Sequence, residues 1–170
     1  IVDANGLVMA LKPGVNVTNA AGETYIFEDG VVTMTQMVVT FTLRADLAWA
    51  DGEPVTADDS LYAFELVDQF DNLPIRLRLL HQRTQRYEPI DDQTVVWESI
   101  PGYHDTFFFQ NFYFQNFYFQ NFYHPLPRHA WGGADASQLL NSVVAQQKPL
   151  GWGAFTVEEW VAGDHISLIR

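Results

Sequence analysis

From Val39 to Arg44 apolar and polar residues alternate. Val39, Phe41 and Leu43 fall on one side and Thr40, Thr42 and Arg44 on the other, the period of a half-buried strand. Asp51-Gly52 follows as a turn dipeptide, since glycine accepts positive φ without a Cβ clash. Pro54 holds off any helix until Thr56, and Thr56 with Asp59 three residues on makes a short-armed capping box. The helix beyond it carries Leu61, Tyr62, Phe64 and Leu66 toward a core. The order is therefore strand, loop with Trp49 as its anchor, tight turn, capped helix. Upstream, residues 1–22 are weakly patterned. Thr24–Glu28, Asp29-Gly30 and the residues from Val31 onward read as a β-hairpin with a type I′ turn. The apolar phase of its second strand slips between Met34 and Met37, which predicts a bulge near Gln36. Downstream, Asp71–Pro74 breaks the pattern, Ile90–Gln93 is a turn, and Thr94–Glu98 is a strand. Asp135 opens a helix through about Ala145 with Leu139, Leu140, Val143 and Val144 on one face. The strands Thr156–Val161 and His165–Ile169 flank a Gly163-Asp164 turn.

Composition narrows the chemistry. A formal charge of −12 over 170 residues argues against a nucleic-acid partner, whose phosphates require a basic face. There is no cysteine, so disulfides, thiolate metal sites and a cysteine nucleophile are excluded. Arg76, Arg78, Arg83 and Arg86 with His81 form the single basic cluster; it reads either as a clamp for an anionic group or as a solvated face in an acidic protein. Asp91 and Asp92 are adjacent in a turn and diverge, so they are no facing acid/base pair. His124 and His129 are five apart around two prolines, without a nearby cysteine to support a metal site. No G-x-S-x-G elbow, H-E-x-x-H pair, P-loop or complete dinucleotide turn occurs, so no enzyme chemistry is assigned. The chain opens on Ile1 with no leader pattern and stops at Arg170 within a strand pattern, and we expect it to be an internal piece of a longer protein.

Several motifs share one resemblance. F-x-L-R followed by W-x-D-G-x-P-x-T-A-x-D is similar to the family 5 extracellular solute-binding proteins of ABC importers, the oligopeptide-, dipeptide- and nickel-binding type. Phe41, Leu43, Arg44, Trp49, Asp51, Gly52, Pro54, Val55, Thr56, Ala57 and Asp59 all fit. The D-D-x-T-V turn and strand of that family resembles Asp91–Val95, and a P-x-P-[KR]-H-like sequence resembles Leu126–His129. Gly151, Gly153, Phe155, Val157, Trp160, Gly163, Asp164, Ile166 and Leu168 match a further segment, from which Trp152 and Ala154 depart. The resemblance covers about Val38–Arg170. It implies an α/β mixed sheet with helices, as a fragment of a two-lobed periplasmic-binding-protein type II fold. Residues 1–150 would be the smaller subdomain with N-terminal strands and 151–170 a return segment into the main lobe, with the second lobe missing. Phe155–Leu168 would lie against the sheet built from Phe41 and Leu43. The implied protein captures peptides or similar small solutes and hands them to a membrane permease. It would use no cofactor and act at the periplasmic or extracellular face, lipid-anchored in its full length. Tyr123 and His124 would border the ligand, while Arg44, Trp49, Asp51, Gly52, Thr56, Asp59, Gly151 and Gly153 would be structural. The nickel binding of some relatives does not transfer without ligands.

The sequence FQNFY occurs three times without a break, at Phe109–Tyr113, Phe114–Tyr118 and Phe119–Tyr123. A period of five gives no single apolar face on a strand or on a helix. One copy suits the fold, with two as a tandem duplication. The alternative is a self-assembling, cross-β-prone segment, because amides and aromatics without charge or proline build such zippers. A stand-alone binding module is the other alternative to transport.

Overall fold

The computed structural model describes residues 1–70, 74–105 and 122–170. The expected break at 71–73 and the FQNFY copies up to Gln120 and Asn121 lie outside the described residues. The elements in order are β1 (Asn16–Thr18), β2 (Thr24–Ile26), β3 (Val38–Thr42), α1 (Ala57–Val67), α2 (Ile75–Gln82), β4 (Thr84–Pro89), β5 (Thr94–Ser99), α3 (Arg128–Trp131), α4 (Ala136–Leu140), α5 (Val143–Gln146), β6 (Thr156–Val161) and β7 (His165–Ile169). The class is mixed α/β, with a three-stranded sheet of order β3-β5-β4 and two-stranded sheets β1-β2 and β6-β7. The chain divides into two units. The first is Ile1–Phe41, Leu73–Glu88 and Val96–Phe122; the second is Thr42–Asn72, Pro89–Val95 and Tyr123–Arg170.

In the first unit the hairpin forms one turn earlier than the alternation predicts. β2 pairs antiparallel with β1, Val17 opposite Tyr25, and the stretch from Val31 to Met37 is no strand. Asn19 supplies the reason. Its Oδ1 accepts from the Ala21 and Glu23 backbone N–H groups, at 3.0 and 2.9 Å, closing a tight Asn-based turn that Gly22 completes at φ +85°. This pairing also lets Val15, Val17 and Phe27 bury together against Met9, Val32 and Met34, so core formation decides between two competent turns. Met34, which lies in no strand, fills that cluster. The bulge expected near Gln36 is absent because 31–37 is no strand; instead Met37 N–H donates to the Ser99 hydroxyl at 2.9 Å, and Gln36 Nε2 donates to the Ser99 carbonyl at 2.7 Å. These side-chain bonds add to the backbone bond from Ser99 N–H to the Met37 carbonyl at 2.9 Å. The Arg-rich stretch is divided between α2, which holds Arg76 and Arg78, and β4, on which Arg86 is held by Glu88 and by Glu98 of β5. Trp97 of β5 has no exposure.

In the second unit α1 starts at Thr56, as the capping pattern predicts, and turns Tyr62 and Leu66 inward onto Ala136 and Leu139. The helix expected from Asp135 to Ala145 is two short helices. Asp135 Oδ1 accepts from Gln138 N–H at 2.9 Å and starts α4. Ser142 then caps α5 by accepting from Ala145 N–H at 3.4 Å, which restarts the helix instead of continuing it. Leu139 is buried while Leu140, Val143 and Val144 are exposed. β6 and β7 fall where their alternation puts them, with a register irregularity between Val157 and Glu159. They pair with each other alone among the described strands, and Phe155 and Leu168 remain 59% and 56% exposed. The sheet that contains Phe41 holds β3, β5 and β4, and β6 and β7 form a sheet of their own. No helix among the described residues is long and apolar enough to cross a membrane.

One glycine in the first unit is constrained twice. Gly102 has φ +87°, and a Cβ there would lie 2.4 Å from the Val2 carbonyl oxygen and 2.8 Å from the Met34 methyl. Gly6 has φ +83° with nothing near its missing Cβ. Gly102→Ala should therefore destabilise the protein by about 2–3 kcal/mol and Gly6→Ala by about 1 kcal/mol. Urea midpoints of the two variants measure the difference; equal losses would show that Val2 and Met34 yield freely.

Candidate functional site

The loop between β3 and α1 is shaped by its own backbone. Trp49 N–H donates to the Glu53 carbonyl at 2.8 Å, Gly52 N–H to the Trp49 carbonyl at 2.9 Å, and Val55 N–H to the Leu47 carbonyl at 3.1 Å. Gly52 sits at φ +94°, a conformation that the Asp51-Gly52 dipeptide permits. The loop thus folds back on itself and presents the Trp49 indole to the interior, where it is 3% exposed.

That indole meets Asp59. Trp49 Nε1 donates to Asp59 Oδ2 at 3.1 Å, and the same oxygen accepts from the Thr56 backbone N–H at 2.9 Å and the Thr56 hydroxyl at 3.2 Å. Asp59 Oδ1 accepts from the Arg128 backbone N–H at 3.2 Å, and the Asp59 carbonyl accepts from Leu126 N–H at 3.1 Å. Asp59 is only 4% exposed. A carboxylate removed from water is tolerated when several donors converge on it, and here four converge. The Arg128 guanidinium then reaches Asp58 and Glu65 on α1 and lies over the Tyr62 ring at 5.5 Å. Burial raises the Tyr62 phenol pKa, with the Arg128 charge pulling it back. The phenol donates to the Ala134 carbonyl.

A cluster of rings caps this network. Trp49 stacks on Trp152, centroids 6.0 Å apart and planes inclined by 29°, and His129 lies 6.1 Å from the same indole. Trp152 is the residue that departs from the resembling pattern, and this stacking occupies it. Ala50 N–H donates to the Gly151 carbonyl at 2.8 Å, tying the Gly151–Gly153 segment to the loop. The His129 Nε2 is 2.9 Å from Asp51 Oδ2. That contact is the largest influence holding the Asp51 carboxyl below the usual carboxylate range. Arg44, by contrast, makes only an exposed pair with Asp46.

The two expected ligand residues differ from each other. Tyr123 is 4% exposed, its ring edge-on to Phe64 at a centroid distance of 5.0 Å, and its carbonyl accepts from the buried Ser60 hydroxyl. The adjoining His124 is exposed. Asp51 and Asp59 read from sequence as local turn and cap groups; their bonds to His129, Trp49 and Arg128 are long-range and leave no period in the chain. The only sequence sign of them is the joint occurrence of the motifs. Among the described residues no group of three or more His, Asp or Glu side chains is arranged to hold a metal.

Comparison with known proteins matches these segments as a set. The family description "bacterial extracellular solute-binding proteins, family 5 Middle" matches residues 26–170. The oligopeptide-binding protein AppA of Bacillus subtilis, solved with a nonapeptide, superposes at TM-score 0.60 with 21% identity, covering 90% of this chain and 29% of that one. The substrate-binding protein CtaP of Listeria monocytogenes gives TM-score 0.57 and 27% identity over 78% of this chain and 25% of that one. A putative peptide-binding AppA of Clostridium difficile gives 0.55 and 29% over 76% and 25%. The chain therefore spans about a quarter of the length of these solved relatives. No curated protein matches it.

Asp59→Asn keeps the shape of the side chain but replaces one acceptor oxygen with a donor facing other donors. It should cost about 3 kcal/mol in urea denaturation, with a red shift of tryptophan emission as Trp49 loses its partner. A loss below about 0.5 kcal/mol would show that the donors find other acceptors. Asp51→Asn tests pH dependence. The folded Asp51 pKa is depressed, so its contribution is present above the unfolded value near 3.8 and is lost as pH falls through the folded value. The melting-temperature gap between native and variant should be constant just above that value and close in stronger acid.

Proposed function

This chain belongs to the bacterial extracellular solute-binding proteins of family 5, and on that footing we propose that it is part of the substrate-binding component of an ABC importer that captures short peptides. The observation that carries the reading is the convergence on Asp59. Segments 49–59 and 126–128, far apart in sequence, meet there, and Gly151 and Trp152 join them through Ala50 and Trp49. A capture protein makes and breaks no bond in its solute. It needs fixed walls and a hinge, and a buried, fully bonded block supplies such a wall.

A relative named for peptide binding, at 29% identity, supports the peptide preference, and one named for substrate binding, at 27%, supports the capture role. The ligand-facing group is His124, which is exposed, while the buried Tyr123 ring supports it from behind against Phe64. Delivery to a membrane permease, a location outside the cytoplasmic membrane and a lipid anchor on the full-length protein complete the proposal. So does the domain arrangement: residues 1–150 as the smaller subdomain and 151–170 as the return into the main lobe. The exposed apolar side chains of β6 and β7 support that arrangement, since Phe155, Ile166 and Leu168 are the kind of surface that further chain covers.

Calorimetric titration of the full-length protein with tripeptides to nonapeptides tests the reading. Saturable binding is expected, weakened about tenfold by His124→Ala with the melting temperature unchanged. Tyr123→Ala should instead lower stability by about 3–5 kcal/mol. Absence of peptide binding by the native protein would remove the substrate class, and unaltered affinity in His124→Ala would remove the assigned residue.

A further inference from the structure

The first unit encloses an open cavity of about 440 Å³, in the size range of small-molecule sites, whose wall includes Val2, Met34, Thr35, Arg83, Tyr103 and His104. None of these residues belongs to the Tyr123–His124 wall. Arg83 follows α2 directly and is fixed by its backbone: its N–H donates to the Leu80 carbonyl at 3.1 Å and its carbonyl accepts from Ile100 N–H at 2.9 Å. Its guanidinium lies over the Tyr103 ring, 4.9 Å from the centroid. That ring is itself held. Trp97 meets it edge-on at 6.1 Å, and the Tyr103 carbonyl accepts from the Ser99 hydroxyl at 2.9 Å. The Trp97 indole N–H in turn donates to Thr84 Oγ1 at 2.8 Å, and that hydroxyl donates to the Leu80 carbonyl at 3.0 Å. The chain of contacts closes on the residue that anchors Arg83, so the cation is mounted on a rigid platform.

On this platform one polar atom lacks its complement. Arg83 Nε is buried and has no acceptor among the described residues, and its guanidinium forms no ion pair among them. Arg86, three residues on, is bound by Glu88 and Glu98, and Arg128 by Asp58 and Glu65. In a chain with 21 acidic residues against nine Lys and Arg, a buried guanidinium edge without a carboxylate stands out. The acid on the same wall, Asp3, is engaged elsewhere, accepting from Leu7 N–H at 2.7 Å and from Asn5.

We propose that this cavity is a second binding site, for a small organic monocarboxylate, distinct from the peptide wall. Arg83 presents the terminal N–H groups of its guanidinium to the carboxylate oxygens, its Nε being buried. Val2, Met34 and the Tyr103 ring receive an apolar body. The Asp3 charge on the wall opposes a dianion, which selects a carboxylate over phosphate.

Phenylacetate is the probe, with phenylacetamide as its neutral counterpart and inorganic phosphate as the competing anion. In the full-length protein the Arg83 Nε–H resonance should shift saturably with phenylacetate and stay in place with the other two. Calorimetry should show affinity for phenylacetate falling at least about tenfold in Arg83→Gln. A resonance that does not move, moves equally with the amide or with phosphate, or an affinity unchanged in Arg83→Gln overturns the site. Should that variant fail to fold, the titration of the native resonance decides alone. A peptide titration that shifts His124 and leaves Arg83 still keeps the two sites separable, so either can fail without the other.

Discussion

A buried carboxylate is costly to desolvate unless donors replace the water it loses, and Asp59 shows how that requirement organises the second unit. Its two side-chain oxygens take an indole N–H, a helix-start N–H, a hydroxyl and a backbone N–H from residue 128. Each donor comes from a different constraint. Trp49 is delivered by a loop that Gly52 allows to turn, Thr56 by the start of α1, and Arg128 by a chain entering α3. Removing one donor leaves the others with a less satisfied charge, so the contacts are interdependent. This is why W-x-D-G-x-P-x-T-A-x-D and L-P-R-H are found in one chain: their residues are physically complementary parts of a single bonded block.

Trp152 shows that the block tolerates local change when volume and contact are supplied. Glycine or another small residue there would leave the Trp49 face open; the second indole covers it and brings the Gly151 carbonyl into reach of Ala50. The first unit uses a different device. It stacks Arg83, Tyr103 and Trp97 in sequence, ending on a hydroxyl–carbonyl bond, and so positions a cation by rings instead of by counter-charges.

Elements whose signals are local were legible in the sequence. α1 declares itself through Thr56 and Asp59, β5 through the Asp91-Asp92 turn that precedes it, and β6 and β7 through the Gly163 turn. Elements decided by competition were not. Asp29-Gly30 and Asn19–Gly22 are both competent turns, and only the burial of Val15 and Val17 with Phe27 selects the second. Ser142 offers a cap that a hydrophobic periodicity cannot weigh against helix continuation. β4 is hidden because Arg86 points toward acids on a solvated face, which erases the alternation. At the candidate site the motif residues were visible, but not their partners. Asp51 with His129 and Asp59 with Arg128 span 78 and 69 positions, distances over which one sequence carries no register.

Each unit is assembled from three separate stretches, alternating along the chain. During translation the opening stretch, ending at Phe41, emerges with its partners still unmade, since Ser99 and Gly102 bind Met37 and Thr35 only some sixty residues later. Asp59 likewise waits in a nascent helix for Leu126 and Arg128. Such non-local closure slows folding and exposes unfinished edges for longer. Growth from the ribosome cannot complete one unit before beginning the other, so each must be held open until its last stretch has emerged.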